Sequence, residues 1–159
     1  MRSTSGGRRR ARNGFSLIEL LMAMSIMGIL AGLAIPNLRT MTFRARAASV
    51  SGDIDVVRVA ISQYNADQNA WPAEAANGVV PPELSTHLPE GFSFQGEGFE
   101  LDYEALSPVV IPGDPSTTQV IGVAVTADTD ELSNAIVELL GGGIIFSTGR
   151  RHTFVIFRS

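Results

Sequence analysis

From Phe15 to Ile35 the chain runs through 21 residues with a single charge, Glu19, and a block of arginines stands directly before them. As a helix this run spans about 31 Å, the thickness of the hydrocarbon core of a bilayer. Arg2, Arg8, Arg9, Arg10 and Arg12 all fall within residues 1–14, where there is no acidic residue. Positive charge at that end predicts that the N-terminus stays cytoplasmic while the C-terminus crosses. Three readings compete for such a segment. A secretory signal peptide would be cut near Gly32-Leu33-Ala34, but its apolar region is usually shorter and uncharged. A plain signal anchor is the second. The third depends on the junction between the two segments.

The overall charge of −4 hides a strong segregation. Without residues 1–14, seven arginines face all sixteen acidic residues, a net charge of −9. The basic patch is therefore a short head segment, not a folded face that could enter a nucleic-acid groove. The chain has no Cys, which excludes disulfide scaffolds, thiolate zinc sites and cysteine nucleophiles. It also has no Lys, which excludes a P-loop lysine and Schiff-base chemistry. His87 and His152 are the only histidines, too few for a His-rich metal centre. Gly141-Gly142-Gly143 follows an expected helix instead of opening one, so it is no phosphate cradle. No catalytic constellation is visible, and the chain reads as a non-enzyme.

The junction Asn13-Gly14-Phe15-Ser16-Leu17-Ile18-Glu19-Leu20 closely resembles the processing signal of type IV pilins and type II secretion pseudopilins. The resemblance implies that a prepilin peptidase cuts after Gly14 and methylates the new N-terminal Phe15. Glu19 becomes the fifth residue of the processed chain, and Pro36 also stands where the family carries a proline. The implied fold is α+β and pilin-like, a long N-terminal helix packed on a small antiparallel β-sheet head. The implied function is that of a structural subunit of a type II secretion pseudopilus or type IV pilus. Its partners would be the peptidase, other subunits, an inner-membrane assembly platform and membrane lipid, with the head periplasmic or extracellular. The absence of Cys favours a pseudopilin, because many type IV pilin heads carry a disulfide. A minor pilin for adhesion or DNA uptake, or an exported protein on an ordinary anchor, are the alternatives. Nucleic acid is not an expected partner, since only Arg150, Arg151 and Arg158 lie close together in the head.

Physical chemistry gives Glu19 and Pro36 reasons to matter. A carboxylate within a bilayer costs several kcal/mol unless it is paired or reaches the interface. The resemblance supplies a partner, the methylated amine of Phe15 on a neighbouring subunit, which would set the register of assembly; four residues apart on one helix, Phe15 and Glu19 could also meet within a subunit. Proline has no N–H and clashes with the carbonyl four residues back, here Gly32. With Gly28 and Gly32 nearby, the stretch from 28 to 36 should be the weak part of the helix.

Four segments follow: a leader 1–14, a membrane and filament-core helix 15–36, an amphipathic continuation 37–70 and a head 71–159. In the continuation, Phe43, Ala47, Val50, Ile54, Val57, Ile61 and Tyr64 recur at spacings of three and four, a one-sided apolar stripe. Burial against a sheet is the expectation and a coiled-coil seam the alternative. Arg39, Arg44, Arg46 and Arg58 lie on this half, either as a solvated face or as contacts to acidic neighbours. Tyr64, Asp67, Trp71 and Pro72 resemble the segment that follows the long helix of major pseudopilins, with Trp71 expected as a core anchor.

In the head, a helical turn is expected at 83–88 with His87 on the surface. A hairpin is expected from Phe92–Phe94 and Phe99–Tyr103, and a loop over Ser107–Thr118. Val120–Thr126 reads as a strand, and Ile144–Ser147 with His152–Phe157 as a second hairpin. Asp128-Thr129-Asp130-Glu131 has the hard oxygen ligands that calcium prefers, making Asp128 and Asp130 weak calcium candidates. Asp128 with Glu131 also reads as a capping box opening a helix that Gly141 ends, which is the preferred reading.

Overall fold

The computed structural model describes residues 15–107 and 119–158. The leader 1–14 and most of the loop expected at 107–118 lie outside the described residues. The chain divides into two units at Arg39/Thr40, and helix α1 (Leu17–Gln68) contributes to both. Its first half holds Leu, Met, Ala and Ile with few breakers, a composition of high helix propensity. α1 runs unbroken through Pro36, so the missing N–H removes one backbone bond without ending the helix. The helix stops where Asn69 adopts a left-handed φ of +47°, a conformation Asn tolerates at helix ends. Pro72 follows shortly after.

In the unit from Thr40 onward, α1 buries Ala47, Val50, Ile54, Val57, Ala60 and Ile61, with Phe43 and Tyr64 half-covered at either end. The apolar stripe is thus buried against the sheet. Strands β1 (Gln95–Gly96), β2 (Phe99–Leu106), β3 (Val120–Ala127), β4 (Ile144–Thr148) and β5 (Arg151–Arg158) form one antiparallel sheet in the order β1-β2-β3-β5-β4. Strand β3 lies at the centre and is buried over nearly its whole length, as its apolar run requires. One sheet face presents Leu101, Tyr103, Ile121, Val123, Val125 and Phe154 to the core shared with α1. Helix α2 (Asp130–Leu140) adds Leu132, Ala135 and Ile136 to that core. Full burial of each large aliphatic contributes about 1.5–3 kcal/mol.

Two details refine the expected elements. The strand before β2 is Gln95–Gly96 and not Phe92–Phe94, because Phe94 turns into the core and its carbonyl alone reaches β2, accepting from Leu101 N at 2.8 Å. Gly122 sits at an irregularity where β3 meets β5, and a Cβ there would lie 2.8 Å from the Phe154 carbonyl oxygen. Only glycine allows that approach.

Candidate functional site

The processing and assembly candidates gather at the N-terminal end of α1. Gly14 lies outside the described residues. Phe15 is exposed just before the helix, Glu19 stands in its first turn, and Pro36 lies within it. From Phe15 to Met41 the large apolar side chains are all exposed, with none buried by the chain itself. An 18-residue window here reaches a mean hydropathy of 2.2, and α1 is the one helix among the described residues long and apolar enough to cross a membrane. A surface this apolar requires lipid or protein against it. Glu19, near the N-terminal end of this stretch, is its only charge before Arg39.

The acidic loop before α2 is built differently from the capping box read in the sequence. The cap is Thr129, whose Oγ1 accepts from Leu132 N at 3.3 Å, so neither Asp128 nor Glu131 closes the helix. Thr129 carries the same side-chain oxygen at the correct distance from Leu132 N, and capping follows geometry over charge. Arg150, from the β4–β5 turn, donates to the Asp128 carbonyl and lies 3.8 Å from Asp130. A guanidinium therefore stands beside the two calcium candidates. Among the described residues no three His, Asp or Glu side chains form a ligand cluster.

The segment after α1 ties the helix to the sheet. The Tyr103 hydroxyl donates to the Pro72 carbonyl at 3.1 Å, and the Trp71 ring lies 4.8 Å from Phe157 of β5. Burial, together with Glu74, Glu83 and Tyr64 nearby, holds the Tyr103 hydroxyl far above its ordinary pKa, so it remains a donor. His87 is half-buried. Its ring packs edge-on against Tyr64 and its Nε2 lies 3.3 Å from Asp67. Of the arginines on α1, Arg44 pairs with Glu138, Arg46 with Glu97 and Arg58 with Asp55, all within the chain.

Two buried polar groups escaped sequence reasoning. His152 is enclosed between α2 and the sheet, its Nε2 2.8 Å from Ser133 Oγ and its Nδ1 2.9 Å from Ser147 Oγ. Burial lowers its pKa, so the ring is neutral, and a hydroxyl can donate or accept as either nitrogen requires. With Ser133 and His152 both buried, the pair fastens α2 to β5 and offers no nucleophile to a substrate. On the other sheet face Arg151 reaches Asp102 at 2.5 Å and Glu104 at 2.6 Å. Burial opposes the Arg151 charge, but hydrogen bonds to the two carboxylates outweigh it and leave the pKa raised. Only the pairing of β2 with β3 and of β3 with β5 brings these three together, so no local motif announces them.

Comparison with known proteins agrees with this geometry. Residues 9–35 match the family model described as the prokaryotic N-terminal methylation motif. The type II secretion system core protein G of Klebsiella michiganensis is 31% identical over 110 residues, which cover 64% of this chain and 78% of that protein. The core protein G of Pseudomonas aeruginosa is 35% identical over 91 residues, 57% of this chain and 64% of that protein. A type IV major pilin protein of Neisseria gonorrhoeae is 32% identical over 71 residues, 45% of this chain and 33% of that protein. No solved structure matches the chain. A methylation motif at the mouth of an uncovered apolar helix, followed by a helix half buried on an antiparallel sheet, defines a pilin-like class. The chain belongs to the type IV pilin and type II secretion pseudopilin family.

Proposed function

We propose that the chain is a structural subunit of a type II secretion pseudopilus, and not an enzyme. The observation that carries this reading is the apolar half of α1, exposed along its length, interrupted only by Glu19 and entered through a methylation motif. Prepilin peptidase removes residues 1–14 after Gly14 and methylates Phe15. The segment 15–36 then holds the subunit in the inner membrane, with its N-terminus cytoplasmic and its head in the periplasm. An inner-membrane assembly platform draws the subunit out, and the apolar helix exchanges lipid for the helices of neighbouring subunits. That exchange is close to neutral in hydrophobic terms, because lipid tails and leucine side chains are equally apolar. Specific polar pairing therefore decides register, and Glu19 with the methylated amine of a neighbour's Phe15 provides it. Absence of Cys and the two core protein G relatives favour the pseudopilus over a pilus.

Glu19→Ala tests this reading. The variant is expected to be cleaved and methylated normally and to remain in the membrane fraction, yet to be lost from sheared filaments. Full incorporation of Glu19→Ala would refute the pairing role.

A further inference from the structure

The segment between Pro72 and the helical turn Pro82–Leu84 carries Asn77 directly before Gly78. Val79 N donates to the Ala76 carbonyl at 3.0 Å. Gly78 takes a φ of +71°, while Asn77 stays out of the left-handed region. That is the pattern of a type II turn with Asn77 and Gly78 as its central pair. Asn77 is exposed, as is Val79 beside it. Among the described residues, nothing hydrogen-bonds the Asn77 carboxamide or the Gly78 N–H. A surface turn closed by one backbone bond opens at little cost in free energy. The side-chain carbonyl carbon of Asn77 is then free to meet the nitrogen of Gly78, and glycine has no side chain to obstruct the approach.

The other four asparagines among the described residues are held differently. Asn37 and Asn65 lie within α1 and Asn134 within α2, so the N–H after each belongs to the helical ladder. Asn65 also donates from Nδ2 to the Ala70 carbonyl at 3.1 Å, which ties down its carboxamide. Asn69 ends α1 and precedes Ala70, whose methyl group crowds the nitrogen that would have to attack. Only Asn77 joins an exposed turn, a free carboxamide and a following glycine.

We propose that Asn77 is a site of spontaneous modification, converting to aspartate and isoaspartate through a cyclic imide as the folded chain ages. The Gly78 nitrogen gives its proton to hydroxide and attacks the side-chain carbonyl carbon of Asn77. The bond from that carbon to the amide nitrogen breaks, and ammonia leaves. Water then adds to either imide carbonyl and one ring C–N bond breaks, which leaves a carboxylate on the side chain or at the main-chain position. No electrons are exchanged. The product adds one negative charge to a processed chain already at −9. The isoaspartyl form also inserts a methylene into the main chain beside Gly78, which lies so close to Gln95 and Glu100 that a Cβ there would be 2.4 Å from Gln95 Nε2. Gln95 and Glu100 are register partners of β1 and β2, so the change acts at the open edge of the sheet.

The full chain, held in detergent micelles at mildly alkaline pH in heavy-oxygen water, tests this by peptide mapping with mass spectrometry. The peptide carrying Asn77 is expected to turn acidic at least about tenfold faster than those carrying Asn65, Asn69 and Asn134, because of these only Asn77 precedes a glycine. Its product should separate into two isomers of one mass, each with a single heavy oxygen taken from water, and its rate should rise with pH. Asn77→Gln should keep its amide over the same period. An Asn77 peptide no faster than that of Asn69 would overturn the proposal. A single aspartate isomer would overturn it equally, since direct hydrolysis of the side chain gives no isoaspartate.

Discussion

Removing the Arg151 guanidinium should unfold the head more readily than any other single charge deletion. Asp102 is 3% exposed, and Arg151 is the group that compensates its carboxylate and that of Glu104. In Arg151→Met both carboxylates are left in the far face of the sheet without a cation. Breaking a buried pair in this way costs about 3–5 kcal/mol. The Arg151 side chain is 29% exposed, which places the effect near the lower end, about 3 kcal/mol. For a folded unit of this size that corresponds to a Tm about 12 °C lower. Thermal unfolding of the full chain in detergent micelles, followed by Trp71 fluorescence, reads it directly, since Trp71 packs on the same strand through Phe157. Replacing all three members together (Asp102→Leu, Glu104→Met and Arg151→Met) should recover more than half of the loss, because an apolar set of similar volume is often as stable as a buried ion cluster. A loss below about 1 kcal/mol for Arg151→Met, or no recovery in the triple variant, would show that the cluster is not what holds this face.

Two further perturbations follow from the buried groups. Burial lowers the pKa of His152 in the folded state, so the unfolded chain takes up the proton first as the solution is acidified. Stability should fall as pH drops through about 6.5 and continue to fall toward the folded value; comparing Tm at pH 7.5 and 5.5 should show a decrease that His152→Gln largely abolishes. Calcium addition or chelation is expected to leave the Tm of the full chain unchanged, because the Arg150 guanidinium sits beside Asp128 and Asp130. A calcium-dependent rise would show that these carboxylates bind the ion after all.

What the sequence made legible was whatever is encoded by spacing along one element. The stripe from Phe43 to Tyr64 is set by helical period alone, and its central positions are the ones buried. The junction around Gly14 and Phe15 is a contiguous motif, as is the distance to Glu19. The strands of the head were readable from apolar runs and turn residues, but their lateral order was not, since pairing β3 with β5 crosses α2 and β4. For the same reason nothing along the sequence linked Arg151 to Asp102 and Glu104. His152 appeared idle because its partners, Ser133 and Ser147, are ordinary serines until α2 and β4 bring them to the ring. The capping residue was misassigned by one position, since Asp128 and Thr129 both cap well and only backbone geometry separates them.

The central claim is that this chain enters a filament through processing at one bond. Co-expression with prepilin peptidase followed by mass spectrometry of the purified membrane form tests it directly. The account predicts a chain beginning at Phe15 with one added methyl group on its amine; an intact N-terminus, or a cut after Ala34, would contradict it.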